Sequence, residues 1–317
     1  MDLQKATLPN ESDRLFLTDG GLETTLVFLQ GFELPCFAAF VLLKTEEGRT
    51  VLWDYYKSYL DIARTYRTGF ILESPTWRAN PDWLGRLDYP ASALQEIHTQ
   101  AVQLLADLKE TYGTELPVLI SGCIGPRGDG YKPGNTMSSE EAMMYHLQQV
   151  NAFRNTPVDF ISAMTINYVE EAIGIVQAAG SAGLPVVLSF TVETNGRLAT
   201  GMSLQEAIER VDESAATPPV YYMINCAHPT HFLPELTSGG PWVNRIRGIR
   251  ANASCKSHAE LDESTELDRG HPEGLGRENR ELKSLLPHLN VFGGCCGTDR
   301  EHVSEIARQL TGEEAVS

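Results

Sequence analysis

Three cysteines are the residues of this chain whose type and spacing could do chemistry. Cys295 and Cys296 are adjacent in the glycine-rich stretch GGCCGT, and Cys226 follows an apolar run in YYMINC. If the two segments end at the same face of the fold, three thiolates can bind one metal ion. Three cysteine ligands with an open fourth position are typical of a catalytic zinc site. Their combined charge leaves the site negative, which suits it to holding an incoming thiol as a nucleophilic thiolate.

Other chemistry is open to the same residues. The adjacent pair could be redox-active, although neighbouring cysteines form strained disulfides. Cys226 could instead share a metal with His228 and His231, although Pro229 disfavours a regular helix there. The remaining cysteines are expected to be small core residues or loop thiols: Cys36, Cys123 and Cys255.

The charge balance excludes some classes of partner. The 317 residues include 25 Lys and Arg against 42 Asp and Glu, a formal net charge of −17. No basic cluster interrupts this acidity, so we expect no binding to nucleic acid or to an anionic membrane. The first residues lack the apolar stretch of a signal peptide, and no run approaches the roughly 20 apolar residues that span a bilayer. We therefore expect a cytoplasmic protein whose cysteines are not paired in disulfides.

The elements that must position the three cysteines alternate regularly along the chain. Short apolar runs are typical of buried parallel strands, and segments with helical periodicity lie between them. The predicted strands are residues 15–18, 70–73, 118–121, 160–163, 186–190, 220–225, 246–250 and 290–292. The predicted helices are residues 50–66, 94–108, 138–154, 169–182, 203–213, 275–286 and 300–310. This alternation predicts an α/β fold, a (β/α)8 TIM barrel forming a single domain over residues 1–317, with a doubly wound open sheet as the alternative.

Three local features are less regular. The segment after the sixth strand is the weakest helix, because Pro229 and Pro234 restrict it. Ser138 and Glu141 have the spacing of a capping box at a helix start. Residues 255–274 are polar and acidic, and we interpret them as a long loop after the seventh strand.

Polar residues and glycines collect where the strands end. Active sites of (β/α)8 barrels lie at the carboxyl ends of the strands. Glycine there lets the backbone approach a ligand closely, and the planar guanidinium of Arg78 suits a substrate carboxylate. The predicted substrate-binding residues are Asp19, Gly20, Gly21, Glu73, Arg78, Met164, Thr165, Asn225 and Asn252.

Four motifs carry a resemblance to a known family. They are DGGLETTL at residues 19–26, SGCIGP at 121–126, INC at 224–226 and GGCCGT at 293–298. On these motifs the chain resembles the homocysteine S-methyltransferase family over essentially its whole length. The resemblance implies a zinc-dependent barrel enzyme in which Cys226, Cys295 and Cys296 bind Zn²⁺. It further implies methyl transfer from S-methylmethionine or S-adenosylmethionine to the zinc-bound thiolate of homocysteine, giving methionine.

The substrate-binding residues depart from that family pattern. Met164 stands where family members have a glutamate that helps bind the amino group of homocysteine, and Asn252 follows an alanine instead of the usual proline. The acceptor could therefore be a different thiol. Alternatively, Glu73 or Glu193 could bind the ammonium group of homocysteine.

Two further functions stay open beside thiol methylation. One is zinc binding without turnover, and the other is metal-dependent hydrolysis, which would favour His and Asp ligands. For methyl transfer, we expect Asp19, Glu73 and the face of Trp77 to contact the positive charge of the donor. The expected partners are then a small-molecule thiol and a methyl donor, and a homo-oligomer is compatible with the sequence.

Overall fold

The computed structural model describes residues 7–312, and eight parallel strands form its centre. The strands are β1 Phe16–Leu17, β2 Gly69–Glu73, β3 Val118–Ile124, β4 Phe160–Ile166, β5 Val186–Phe190, β6 Tyr221–Asn225, β7 Ile246–Ala251 and β8 Val291–Gly294. They pair in chain order, and β1 closes the barrel on β8 through Phe16 opposite Val291. The predicted (β/α)8 barrel is confirmed, and the open-sheet alternative is wrong because no strand edge is left unpaired.

Helices surround this barrel. The α-helices are α1 Leu22–Thr24, α2 Glu46–Thr65, α3 Pro81–Arg86, α4 Ala93–Tyr112, α5 Ser139–Phe153, α6 Val169–Ala182, α7 Leu204–Ser214, α8 Pro229–Ser238, α9 His258–Asp262, α10 Pro272–Leu285 and α11 Arg300–Thr311. Shorter helical turns are Pro9–Glu11, Thr25–Leu29, Pro35–Phe37, Ala39–Lys44 and Pro241–Arg245. Within residues 7–312, no helix has the length and apolarity needed to cross a membrane.

The irregular features partly follow the predictions. The capping box of Ser138 and Glu141 is formed at the start of α5. Helix α8 forms with Pro229 at its start, where a missing N–H costs little, and with Pro234 inside it. The prediction of one long loop over residues 255–274 is wrong in part, because α9 lies within it and α10 begins at Pro272. The ends of the predicted domain, residues 1–6 and 313–317, lie outside the described range.

The inside of the barrel has two layers of side chains: an apolar layer toward the amino ends of the strands and a polar layer toward their carboxyl ends. Side chains alternate between the two faces of a strand, so one set faces the helices and the other fills the interior. The apolar interior cluster consists of Leu8, Phe16, Ile71, Leu119, Phe160, Val187, Tyr221, Met223 and Val291. Two residues further along the strands, the same face carries Glu73, Ser121, Ser162, Ser189, Asn225 and, on β7, Arg250. The polar layer therefore supports the carboxyl end of the barrel, where the cysteines lie.

Candidate metal centre and substrate cavity

The three cysteines come together at the carboxyl end of the barrel. Cys226 follows β6, while Cys295 and Cys296 follow β8. Their three sulfur atoms all lie within 4.8 Å of one another. Within residues 7–312, this is the one group of three or more His, Cys, Asp or Glu side chains that could hold a metal ion. Sulfur ligands of zinc lie about 2.3 Å from the ion, so cysteines that share an ion must converge about this closely.

The three sulfurs are not chemically equivalent in the structure. A disulfide joins Cys226 to Cys295, and Cys296 has a free thiol. The expectation that none of the cysteines is paired is therefore wrong for this pair. A disulfide sulfur carries no thiolate charge, so a three-thiolate site requires reduction of this bond.

Each sulfur of the cluster has its own polar neighbour. The hydroxyl of Thr165 lies 3.9 Å from the Cys226 sulfur, and the side-chain amide of Asn225 lies 3.9 Å from that of Cys295. The Tyr131 hydroxyl is 3.4 Å from the sulfur of Cys296.

The Tyr131 hydroxyl is suited to donate to a thiolate. Burial raises the pKa of Tyr131 well above its ordinary value, so the hydroxyl keeps its proton. Burial also raises the pKa of the Cys296 thiol, and the hydrogen bond from Tyr131 opposes that rise. Donors around metal-binding sulfurs orient the ligands and favour their charged form, so these contacts fit a thiolate site.

Two residues beside the cluster have unusual backbone conformations. Thr165 has φ 63° and Cys226 has φ 53°, a left-handed region that side chains other than glycine rarely adopt. Asn225 fixes Thr165, because its side chain accepts from the Thr165 N–H at 2.9 Å and donates to the Thr165 hydroxyl at 2.8 Å. The Cys226 carbonyl accepts from Asn252 at 3.0 Å and lies 2.7 Å from Nε2 of His258. The network therefore holds both turns in a strained form that directs side chains toward the cluster.

The glycines of GGCCGT make room for the turn after β8. A Cβ atom on Gly294 would lie 1.9 Å from the Thr298 hydroxyl oxygen, and one on Gly293 would lie 1.9 Å from that of Thr18. Gly297 has φ 78°, which glycine adopts without strain. Larger residues at these positions would displace the two cysteines.

The alternative metal set of Cys226, His228 and His231 is not formed. Nε2 of His228 lies 3.3 Å from a carboxylate oxygen of Glu278, and Nε2 of His231 lies 2.9 Å from the carbonyl of Cys255. Both histidines are therefore engaged away from Cys226.

A cavity of about 560 Å³ opens above the cysteine cluster. The predicted residues that line it are Asp19, Gly20, Gly21, Glu73, Arg78, Met164, Thr165, Asn225, Cys226, Cys295 and Cys296. Asn252 and Glu193 do not line it: Asn252 holds the Cys226 carbonyl, and Glu193 lies 3.4 Å from Nδ1 of His258. The segment 261–268 forms part of the outer wall. Nothing in the sequence pattern distinguished Asn252 from the lining residues.

A buried arginine joins the two acidic residues expected to contact a donor cation. Arg250 donates to Asp19 at 2.6 Å and to Glu73 from its other terminal nitrogen. The second oxygen of Asp19 accepts from Tyr55, and that of Glu73 accepts from Ser162 at 2.7 Å. Both carboxylates thus have hydrogen-bond partners within the protein.

Burial dominates the electrostatics of this triad. It raises the pKa of Asp19 to about 6, and the charge of Arg250 opposes that rise. Burial disfavours the charge of Arg250 as well, yet the carboxylates of Glu73 and Asp19 hold its pKa above the ordinary value. Arg250 is therefore cationic, and the triad depends on all three partners.

A second arginine on the cavity wall, Arg78, forms no ion pair within residues 7–312, although the charges of Asp129 and Glu23 oppose the lowering of its pKa by burial. The guanidinium of Arg78 lies 4.7 Å from the ring centroid of Trp77 and 3.9 Å from that of Trp83. Its Nε and Nη1 atoms are buried without a hydrogen-bond acceptor. Trp77 is fixed in turn, because its indole N–H donates to the Met164 carbonyl at 3.2 Å.

Three residues of this site were not predicted from the sequence: Arg250, Glu23 and Tyr131. Arg250 carried a signal, because a charged residue inside an otherwise buried strand must be paired. Glu23 lines the cavity within the DGGLETTL motif, but it was not singled out. Tyr131 lies in the loop after β3, and nothing in its sequence surroundings indicates contact with Cys296.

Comparison with known proteins identifies the family of the chain. A family model described as homocysteine S-methyltransferase matches residues 16–310. The chain belongs to the homocysteine S-methyltransferase family. The resemblance predicted from the four sequence motifs is thus confirmed.

A rat relative is similar to part of this homocysteine S-methyltransferase family member. Betaine–homocysteine S-methyltransferase 1 of Rattus norvegicus is 26% identical over an alignment of 194 residues that covers 55% of this chain and 45% of that protein. The match thus spans less than half the length of the rat relative.

Solved structures with the same fold include the homocysteine methyltransferase MmuM from Escherichia coli. Its metallated form has a TM-score of 0.71 at 19% identity, covering 96% of this chain and 97% of that one. Its oxidized form has a TM-score of 0.70 at 17% identity, covering 95% and 97%. At this identity the likeness establishes the fold.

Proposed function

We propose that this protein is a metal-dependent thiol S-methyltransferase, with homocysteine as the acceptor and a sulfonium compound as the methyl donor. S-methylmethionine and S-adenosylmethionine are the donors we favour. The observation that carries the proposal is the convergence of three cysteine sulfurs within 4.8 Å at the mouth of a cavity, in a chain of this family.

Zinc is the metal that this ligand set supports best. Three soft thiolates favour zinc over Mg²⁺ or Ca²⁺, which prefer oxygen ligands. We propose that Cys226, Cys295 and Cys296 bind it in their reduced form. When bound, zinc would supply the positive charge that keeps an acceptor thiol deprotonated at neutral pH. The same set argues against hydrolysis as the main reaction, because its negative charge makes a weak generator of hydroxide.

The reaction itself needs little acid–base chemistry from the protein. The acceptor thiol releases its proton to solvent water, and its sulfur attacks the methyl carbon of the donor. A new carbon–sulfur bond forms as the donor's sulfur–methyl bond breaks, and the donor sulfur keeps that electron pair and becomes neutral. The task left to the cavity is to hold sulfur and methyl carbon in line and to exclude water.

The cavity walls support a cationic donor through aromatic and apolar surface more than through paired carboxylates. Asp19 and Glu73, which were expected from the sequence to contact the donor cation, are engaged by Arg250. One guanidinium already lies over Trp77, so Trp77 contributes through packing. A sulfonium loses its charge as the methyl group leaves. A cavity wall that binds the cation only weakly therefore disfavours the charged reactant more than the less charged transition state.

A labelled-methyl assay tests this proposal. The reduced, zinc-loaded protein is incubated with each methyl-labelled donor and a panel of thiols that includes homocysteine, cysteine and 2-mercaptoethanol. We expect labelled methionine from homocysteine, with loss of the product in Cys226→Ser. Labelled product from another thiol, and none from homocysteine, would show that this other thiol is the acceptor. The methionine at position 164 would favour that outcome. No labelled thioether from any thiol would reject the enzyme function in favour of zinc binding without turnover.

A further inference from the structure

The unpaired guanidinium of Arg78 has the features of a carboxylate-binding group. Its Nε and Nη1 atoms are buried on the cavity wall without an acceptor, which is costly for a charged group. Its position between Trp77 and Trp83 fixes the plane of its donors. A planar guanidinium held in this way matches the two oxygens of a carboxylate. An anionic group entering the cavity would therefore satisfy donors that the protein leaves unpaired.

A free carboxylate of opposite charge lines the same cavity. The side chain of Glu23 is partly buried, and within residues 7–312 it forms no hydrogen bond or ion pair with another residue. Burial raises the pKa of Glu23 to about 7, and the nearby charge of Arg78 opposes the rise. The charges of Arg78 and Glu23 are thus close enough to influence each other.

The other acidic residues of the cavity are either engaged or exposed. Asp19 and Glu73 have both carboxylate oxygens satisfied by Arg250 and by neighbouring hydroxyls. The Glu266 carboxylate also has no hydrogen-bond or ion-pair partner among the described residues 7–312, but it is exposed on the outer wall. Met164 carries no charge. Glu23 is therefore the partly buried carboxylate available to a substrate cation.

We propose that Arg78 and Glu23 form the subsite for the α-carboxylate and α-ammonium groups of an amino-acid thiol acceptor. This subsite would take over the recognition that position 164 cannot provide. The inference rests on the proposed function, since it concerns the acceptor of that reaction. It makes Arg78 and Glu23 specificity-determining residues and leaves the thiol end to the cysteine cluster.

Truncated acceptors separate the two contacts. Homocysteine carries both groups, 4-mercaptobutanoate lacks the ammonium group, and 3-aminopropane-1-thiol lacks the carboxylate. Binding of each thiol to the reduced, zinc-loaded full chain is measured by calorimetry without a methyl donor. We expect Arg78→Gln to weaken homocysteine and 4-mercaptobutanoate by about 10- to 100-fold, the value of a hydrogen bond between charged groups, and to change the aminothiol by less than about 3-fold. Glu23→Gln should weaken homocysteine and the aminothiol by about the same factor and spare 4-mercaptobutanoate.

Two control variants remove comparable groups outside the subsite. Arg86 also stacks on Trp83, at 4.3 Å, but it does not line the cavity, so Arg86→Gln tests the loss of a stacked guanidinium. Glu266→Gln removes one negative charge from the outer wall and should affect the three thiols alike.

The pattern across the three thiols decides the inference. Equal weakening of all three thiols by Arg78→Gln or by Glu23→Gln would overturn it, because that result indicates a general structural role. A variant that weakens binding of S-methylmethionine but not of homocysteine would also overturn it, since the subsite would then serve the donor. The binding data stand apart from turnover. If the variants weaken binding selectively but the protein transfers no methyl group, the subsite is supported and the proposed reaction is rejected. If the protein transfers methyl groups but the variants weaken no thiol selectively, the reaction is supported and the subsite is rejected.

Discussion

Replacing Arg250 with methionine is expected to lower the free energy of unfolding by about 3–5 kcal/mol near pH 7.5, the usual cost of leaving buried charges unpaired. Arg250 is 6% exposed, and Asp19 is 4% exposed. Methionine keeps much of the packing volume of the arginine stem. The decrease in the free energy of unfolding therefore comes mainly from the missing charge. Two carboxylates, Asp19 and Glu73, would remain in the polar layer of the barrel without a cation.

The pH dependence of stability provides a second, independent test of this prediction. In the intact protein the pKa of Asp19 is raised from 3.8 to about 6. Protonated Asp19 therefore stabilises the fold fully below about pH 4, and this contribution, about 3 kcal/mol for two pKa units, is lost as the pH rises through about 6. Without Arg250 the pKa of Asp19 in the folded state rises further, so protonation of Asp19 stabilises the variant up to a higher pH. The stability difference between the two proteins should thus shrink as the pH falls from about 7.5 to about 5.

Urea denaturation followed by circular dichroism, on reduced and metal-free protein at both pH values, checks this reasoning. Arg247→Met on the same strand is the matched control. Arg247 donates one hydrogen bond to the His288 carbonyl at 3.0 Å, and it forms no ion pair with any residue in the described range 7–312. We expect the control to lose about 1 kcal/mol at either pH. A loss in Arg250→Met no larger than in this control, or one that is the same at both pH values, would refute the account of the triad.

Three further predictions concern the cysteine cluster. Cys296→Ser should lose most of the bound zinc, measured by metal analysis after dialysis, while Cys255→Ser should keep it; equal retention would exclude Cys296 as a ligand. Protein carrying the disulfide should bind less than one zinc per chain and reach one per chain after reduction with a phosphine, and metal binding that ignores reduction would contradict the three-thiolate site. Gly294→Ala should lose about 1–3 kcal/mol of stability because its Cβ meets the Thr298 hydroxyl oxygen at 1.9 Å, whereas Gly85→Ala, with nothing within 4 Å, should lose none; similar stabilities would show that the turn after β8 relaxes freely.

The barrel could be predicted because its strands have a local signature. Parallel strands buried on both faces are continuous apolar runs, and the eight runs matched the eight strands to within a few residues. The convergence of the cysteines followed from the same topology, since Cys226 and Cys295 each come directly after a strand. In a closed barrel, all strand ends open onto one face.

The partners of the substrate residues could not be predicted in the same way. Asp19 follows β1, while Glu73 lies on β2 and Arg250 on β7. Their contact depends on which interior layer each side chain occupies. That layer is set by strand register, which no short segment encodes. Tyr131 reaches Cys296 from a loop without periodicity. The sequence motifs thus predicted which residues lie at the site, while their pairing depended on the three-dimensional arrangement.

The most direct test of the central claim is the sulfur coordination of the bound zinc, measured by X-ray absorption with and without homocysteine. We expect three sulfur ligands at about 2.3 Å in the reduced protein and four when homocysteine is added, with no change on adding methionine. A sulfur count that stays at three with homocysteine, or that is four before any thiol is added, would contradict an open three-cysteine site that binds the acceptor thiol.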